Sequence, residues 1–317
     1  MYKKKKVCVI IPAYNEEKLI KNTVETVPVY VDHILVVDDA SEDKTAEIVE
    51  KIEKVNHKVM LIKHEKNRGV GAAISTGYIW CRDNNMDIAA VVAGDGQMNP
   101  DNMPDLLDPI VENRSDYTKG NRLVTGEAWY IMPRRRYLGN SVLTFMTKIA
   151  SGYWHVTDSQ SGYTALNKKA LHILPFKDVY PRYGMPNDFL VTLNVYDMRV
   201  MDVVVDPVYG IGEESGIKVH KIVIPLFFLL IRLFFRRMLH KYIIRDFHPL
   251  VFFYAFGIFL LLLDVPLIIR LIIRWTLDAS ITPINSLAIL FCTLIGIQSL
   301  FFGMLFDMEA NRELKGK

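Results

Sequence analysis

The stretch HILVVDDASEDKTAEIVEKI, residues 33–52, begins as an apolar run, stops at two aspartates and continues as a helical segment. That is the signature of a strand whose C-terminal end opens into a helix. The same unit recurs on both sides. Before it, Val7 to Ile11 ends at Pro12 and a periodic segment runs from Glu17 to about Val27. After it come KVMLIKHEKNRGVGAAISTGYIWC (58–81), with Gly69 and Gly71 at the break, and DIAAVVAGDGQMNPDNMPDLLDPIV (87–111). Strand and helix alternating at this spacing predict an α/β fold with a parallel sheet covered by helices on both faces. In such a sheet the C-terminal ends of the strands line the ligand crevice. Here those ends carry Pro12-Ala13-Tyr14-Asn15-Glu16, Asp38-Asp39, Asn67-Arg68-Gly69 and Asp95-Gly96-Gln97. Any one such loop is explained by helix caps and turns, which need the same residue types. Four together point to a site.

The rest of the chain has a different composition. Half of the 317 residues are hydrophobic, and they concentrate between Ile222 and Met308, whereas the first 215 positions have the mixed composition of a soluble domain. A net charge of +3 is too small to argue for nucleic acid, which leaves phosphates or anionic lipid as partners. Cys8, Cys81 and Cys292 match neither a zinc spacing nor a disulfide framework and are expected as buried thiols. The start MYKKKKVCVIIPAYNEE has too short an apolar run for a signal peptide and is expected to form the first strand.

IKVHKIVIPLFFLLIRLFFRRMLHKYIIRD (217–246) places Arg232, Arg236 and His240 four apart, with Arg237 and Lys241 beside them. On a helix this leaves a broad apolar face, as in helices that lie in a membrane interface. Pro249 to Ile269 and Leu287 to Phe306 are each long enough to span a bilayer, about 20 residues being required. Two spans form a hairpin. Basic residues flanking the pair (Arg232, Arg236, Arg237, Lys241 and Arg245 before; Arg312, Lys315 and Lys317 after) outnumber Arg270 and Arg274 between them. The positive-inside rule then puts the head in the cytoplasm. Asp264, inside the first span, is expected to be satisfied by Arg270 or by a helix contact rather than to act chemically. The expected division is 1–217 for the catalytic domain, 218–246 for the interface helix and 247–317 for the hairpin and tail.

A nucleotide-diphosphate-sugar site needs acidic or amide groups for base and ribose, a divalent cation for the diphosphate and cationic side chains for the leaving charge. The head offers all of these. Its ordered motifs IIPAYNEE, VVDDASEDKT, NRGVGAAISTGY, Asp95-Gly96-Gln97, KGNR and DSQSGY resemble family 2 glycosyltransferases of the GT-A fold, within the dolichol-phosphate mannose synthase and polyprenyl-phosphate glycosyltransferase group. The resemblance covers about residues 7 to 220. It implies a nucleotide site formed by Pro12, Tyr14, Glu16, Asp38, Asp39 and Arg68. It implies Mg2+ or Mn2+ held by Asp95 and Gln97, catalytic roles for Asp95, Arg122 and Asp158, and an acceptor phosphate met by Arg122, Arg134 and Lys218. Which arginine of Arg134-Arg135-Arg136 faces phosphate stays open, as does a homo-oligomer. The sequence departs from the family's Asp-x-Asp pattern at Ala93. A lone aspartate with an amide oxygen can still hold magnesium when substrate phosphates supply the remaining ligands, at the cost of weak affinity without the donor.

The implied reaction moves a hexose from a UDP- or GDP-linked donor to a polyprenyl or dolichyl phosphate in the bilayer, with inversion. A phosphate nucleophile is already an anion and needs no strong base; a hydroxyl acceptor would need one, for which Asp158 and Asp188 are candidates. Against a polysaccharide synthase, none of Trp80, Trp129, Trp154 and Trp275 follows a Gln-x-x-Arg pattern. An inactive nucleotide-binding scaffold would fit Ala93 but gives no reason to keep Asp39, Asp95, Gln97 and Arg122 together.

Overall fold

The computed structural model describes residues 1–124, 126, 128–131, 134–206, 208, 219–277, 280 and 282–317. The chain divides into two compact units, Met1–Phe234 together with Glu313–Lys317, and Phe235–Arg312.

In the first unit, β1 (Val7–Ala13), α1 (Ile20–Glu25), β2 (His33–Asp38), α2 (Thr45–Val55), β3 (Val59–Lys63), α3 (Val70–Asp83) and β4 (Ile88–Val91) alternate as expected. α4 (Met103–Val111), β5 (Tyr117–Asn121), α5 (Ala128–Ile131), α6 (Arg134–Ser151), β6 (Thr164–Asn167), α7 (Lys168–Ile173), α8 (Met185–Val195) and β7 (Val200–Val204) follow. The seven strands form one sheet in the order β3-β2-β1-β4-β6-β5-β7. Along β1, Cys8 and Ile10 enter one apolar core while Val7, Val9 and Ile11 enter another. Burial on both faces is why this strand is an unbroken apolar run rather than an alternating one.

The sheet is not wholly parallel, which corrects the sequence-based expectation. β6 runs antiparallel to both β4 and β5, pairing Thr164 with Val91 and with Lys119. The cause is connectivity. After β5 the chain passes through α5 and α6 and starts β6 beside the C-terminal end of β4, so it can only run back down the sheet.

The helix α9 (Val219–Leu239) leads into a π-helical turn at His240–Arg245. In the second unit, α10 (Leu250–Thr276) and α11 (Pro283–Ala310) are long and apolar enough to cross a membrane. At 27 and 28 residues they reach about 40 Å, which exceeds a hydrocarbon core of about 30 Å. They pack antiparallel, with Tyr254 against Gly303, and Gly257 against Gly296 and Leu300. Small and polar side chains fill the seam while Phe252, Phe259, Leu262, Leu287 and Phe301 stand exposed. That arrangement inverts a soluble bundle and suits lipid on the outside. Asp264 is met by the Thr293 hydroxyl, which donates to its carboxylate at 2.8 Å, so the helix contact rather than Arg270 supplies its partner.

One charge on the expected polar face behaves differently. Arg237 is fully enclosed and donates to both oxygens of Asp307 at 2.6 and 2.9 Å. The Tyr242 hydroxyl and the Asn311 amide also donate to Asp307, at 2.8 and 2.9 Å. A buried ion pair persists only when its remaining lone pairs are satisfied in this way.

Candidate active site

At the ends of β1 and β2 the two motif loops are laced together. The Asn15 N–H donates to the Ser41 hydroxyl, the Asn15 side chain accepts from the Glu42 N–H, and the Glu16 N–H donates to Thr45. Asp39 is 2% exposed, and its carboxylate accepts from the backbone N–H groups of Arg68 and Gly69 at 3.0 and 2.6 Å and meets His64 at 2.6 Å. Gly69 is required there: its φ is +98°, and a Cβ would come within 2.5 Å of the Pro181 carbonyl. Asp39 therefore anchors the loop that carries Arg68, whose side chain is exposed. Asp38 accepts from the Ser41 N–H through one oxygen, while its other oxygen is buried with no hydrogen-bond partner among the described residues. Tyr14 is exposed and Pro12 is buried at the end of β1.

Beyond β4, Asp95 accepts from the Gln97 N–H at 3.0 Å, closing a turn with Gly96 at φ +69°. Glu16 approaches this turn: a Cβ on Gly94 would lie 3.5 Å from the Glu16 stem. Burial, followed by the charges of Asp95 and Asp43, pushes the Glu16 carboxyl up to about 7. Among the described residues no three His, Cys, Asp or Glu side chains gather as a metal cluster. The donor set of Asp95 and the Gln97 amide, with Glu16 close by, fits a divalent cation completed by substrate phosphates and water.

The third part of the site lies over β5 and β6. Arg122 donates to Asp158 through Nε at 2.8 Å, through Nη2 at 3.2 Å and through its backbone N–H at 3.3 Å. Asp158 is wholly buried; burial pushes its carboxyl up, but the charge and hydrogen bonds of Arg122 and the charge of Lys119 outweigh this and hold it below the usual range. One oxygen of Asp202, on β7, accepts from Asn121 at 2.7 Å and from the Thr157 N–H and hydroxyl at 2.7 and 3.0 Å. Asn121 precedes Arg122 and Thr157 precedes Asp158, so this single oxygen ties both members of the pair to the sheet. Lys119, on β5, is buried and donates to the Ser161 carbonyl.

Asp188, the other candidate base, is 2% exposed and accepts the Tyr180 N–H at 2.6 Å. Arg134 is exposed and lies over the Trp129 ring, 5.5 Å from its centroid. Lys218 lies outside the described residues. The sequence reading missed His64, Asp202 and the approach of Glu16 to Asp95. The strand-end position of Glu16 was a signal; a histidine opening a loop and an aspartate within a short strand gave none.

The profile described as Glycosyl transferase family 2 matches residues 8–174. The UDP-N-acetylglucosamine–dolichyl-phosphate N-acetylglucosaminyltransferase of Methanococcus voltae is 35% identical over 218 residues, covering 65% of this chain and 86% of the relative. The undecaprenyl-phosphate mannosyltransferase of Micrococcus luteus is 26% identical, covering 67% and 86%. Among solved structures, glucosyl-3-phosphoglycerate synthase from Mycobacterium tuberculosis, crystallised with Mn2+, UDP and glucosyl-3-phosphoglycerate, superposes with a TM-score of 0.55 at 17% identity, over 74% of this chain and 80% of that one. That likeness is one of fold.

Proposed function

Because this chain belongs to glycosyl transferase family 2, we propose that it moves a sugar from a nucleotide-diphosphate donor to the phosphate of a polyprenyl or dolichyl lipid. The observation that carries the choice of acceptor is the state of the two carboxylates expected to serve as base. Asp158 is committed to Arg122, and Asp188 to the Tyr180 N–H. A hydroxyl acceptor would need a base within reach, whereas a lipid phosphate is already ionised and needs cations and alignment instead. The relatives named as dolichyl- and undecaprenyl-phosphate transferases support the same choice.

In this reading the Tyr14 and Arg68 loops border the nucleotide, Asp38 and Asp39 serve the base side, and Glu16 stands between nucleotide and metal. A divalent cation held by Asp95 and Gln97 would neutralise charge on the departing diphosphate. Arg122, held in one orientation by Asp158, meets the acceptor phosphate. Arg134 and Lys218 would serve as additional cations at the lipid headgroup. Direct attack by the phosphate oxygen inverts the anomeric carbon. The head faces the cytoplasm in this reading, which the excess of basic residues flanking the two apolar helices supports.

The test is label transfer by detergent-purified protein, with polyprenyl phosphate and a panel of UDP- and GDP-sugars, with and without Mg2+ or Mn2+. UDP-N-acetylglucosamine is the first donor to try. Lipid-extractable label that depends on metal and is lost in Asp95→Ala is the expected result; nucleotide binding without any labelled lipid would sink the reading.

A further inference from the structure

His64 opens the loop after β3, and its backbone N–H donates to the Asp38 carbonyl at 2.9 Å, so the strand ladder roots it beside Asp39. Its side chain is 6% exposed, with Nδ1 2.6 Å from Asp39 Oδ1 and Nε2 2.9 Å from the hydroxyl of Thr76 on α3. That hydroxyl also donates to the Ala72 carbonyl one turn earlier at 3.0 Å, and with one donor and two lone pairs it serves both neighbours. A single buried ring thus ties the ends of β2 and β3 to α3.

The acceptor positions of Asp39 can be counted. Oδ1 takes the Arg68 N–H and the His64 ring, and Oδ2 takes the Gly69 N–H. A carboxylate that accepts N–H groups through both oxygens acts as an acceptor, which puts the proton of the ring contact on Nδ1. With two lone pairs on each oxygen, Oδ1 is filled and Oδ2 keeps one open position among the described residues. Without the ring, Oδ1 would regain an open position and the carboxylate would be free to turn either oxygen outward.

We propose that His64 is a positioning residue for the donor: by filling Oδ1 it leaves Asp39 a single acceptor, on Oδ2, for an N–H of the nucleotide base. The proposal rests on the donor class inferred above and adds the side chain that aims its base contact. It carries a consequence for specificity. Uracil and guanine present a ring N–H where cytosine presents a bare nitrogen, and a site built to accept from an N–H discriminates against the analogue that lacks it. His64 therefore sets the preference for UDP or GDP over CDP without touching any of them.

Full-length His64→Asn and His64→Gln proteins in detergent test the proposal, with UDP, GDP and CDP titrated calorimetrically in the presence of Mg2+. Asparagine puts its NH2 where Nδ1 stands and keeps the Asp39 contact, whereas glutamine puts its NH2 where Nε2 stands and meets Thr76 alone. Each variant loses one of the two ring contacts, so a purely structural role would weaken both alike. The glutamine variant should bind the preferred nucleotide about tenfold more weakly, as expected when one hydrogen bond to a charged group is lost, with CDP binding and the KM for polyprenyl phosphate unchanged. Asparagine, and Thr76→Val as a second variant that keeps the Asp39 contact, should retain wild-type affinity and preference. Equal losses in the asparagine and glutamine variants, an equal loss for CDP, or a wild-type protein that does not prefer UDP or GDP over CDP would overturn the assignment. The expected binding pattern in a protein that transfers no sugar to lipid phosphate would keep the role of His64 and sink the proposed function instead.

Discussion

Replacing Asp158 with asparagine separates a positioning role from a chemical one. The carboxylate accepts from Arg122 Nε at 2.8 Å, Nη2 at 3.2 Å and the backbone N–H at 3.3 Å, and from the Gln160 N–H at 3.3 Å. Asparagine keeps one oxygen and turns an NH2 group toward a donor, so about half of these contacts are lost together with the charge. Removing one partner of a buried pair costs about 3–5 kcal/mol. Arg122 keeps 15% of its side chain accessible, and asparagine escapes the desolvation cost of a buried carboxylate, so the lower end, about 3 kcal/mol, applies. In a unit of this size about 1 kcal/mol moves Tm by 2–4 °C, and thermal unfolding followed by intrinsic fluorescence should fall by about 6–12 °C. The depressed carboxyl contributes stability above its unfolded value of about 3.9, so the gap between wild type and variant should close as pH falls below about 4. The acceptor KM should rise with the loss of order at Arg122. A variant with unchanged Tm and acceptor KM but a large loss in kcat would refute this account and make Asp158 a catalytic base.

Lys119 titrates low, at about 8, because burial outweighs the charges of Asp158 and Asp202 that favour its protonated form. The folded chain therefore sheds this proton before the unfolded one does, and stability relative to Lys119→Met should rise from about pH 8 to about pH 10.4; a flat difference would contradict it. Asp307→Ala strands the enclosed Arg237 and should cost the second unit about 3–5 kcal/mol, read as faster proteolysis between His240 and Arg245 in detergent, with wild-type resistance as the contrary result. Gly71→Ala drives a Cβ to 2.4 Å from the Tyr180 carbonyl, which is backbone and cannot rotate away. It should cost at least about 1–3 kcal/mol and weaken nucleotide binding by displacing the Arg68 loop, whereas wild-type affinity by titration calorimetry would count against it.

The outline of the candidate site was legible because strand ends in an α/β sheet are marked by a change of residue class, and Asp38-Asp39, Asn67-Arg68-Gly69 and Asp95-Gly96-Gln97 all fall at such changes. The direction of β6 was not: four residues, Thr164–Asn167, carry no polarity signal, and only the path of α6 decides it. Pairings across long separations were hidden for the same physical reason. That Arg237 rather than Arg236 turns inward depends on a carboxylate seventy residues later, and that one oxygen of Asp202 holds both Asn121 and Thr157 depends on strand register.

The central claim is the atom that receives the sugar. Isolating the lipid product and recording its phosphorus NMR spectrum, before and after mild acid, tests that most directly. With dolichyl phosphate as the acceptor, transfer to the phosphate predicts a phosphodiester signal that mild acid converts to the lipid monophosphate with release of free sugar. A product whose phosphate remains a monoester, with the sugar on a hydroxyl, would contradict it.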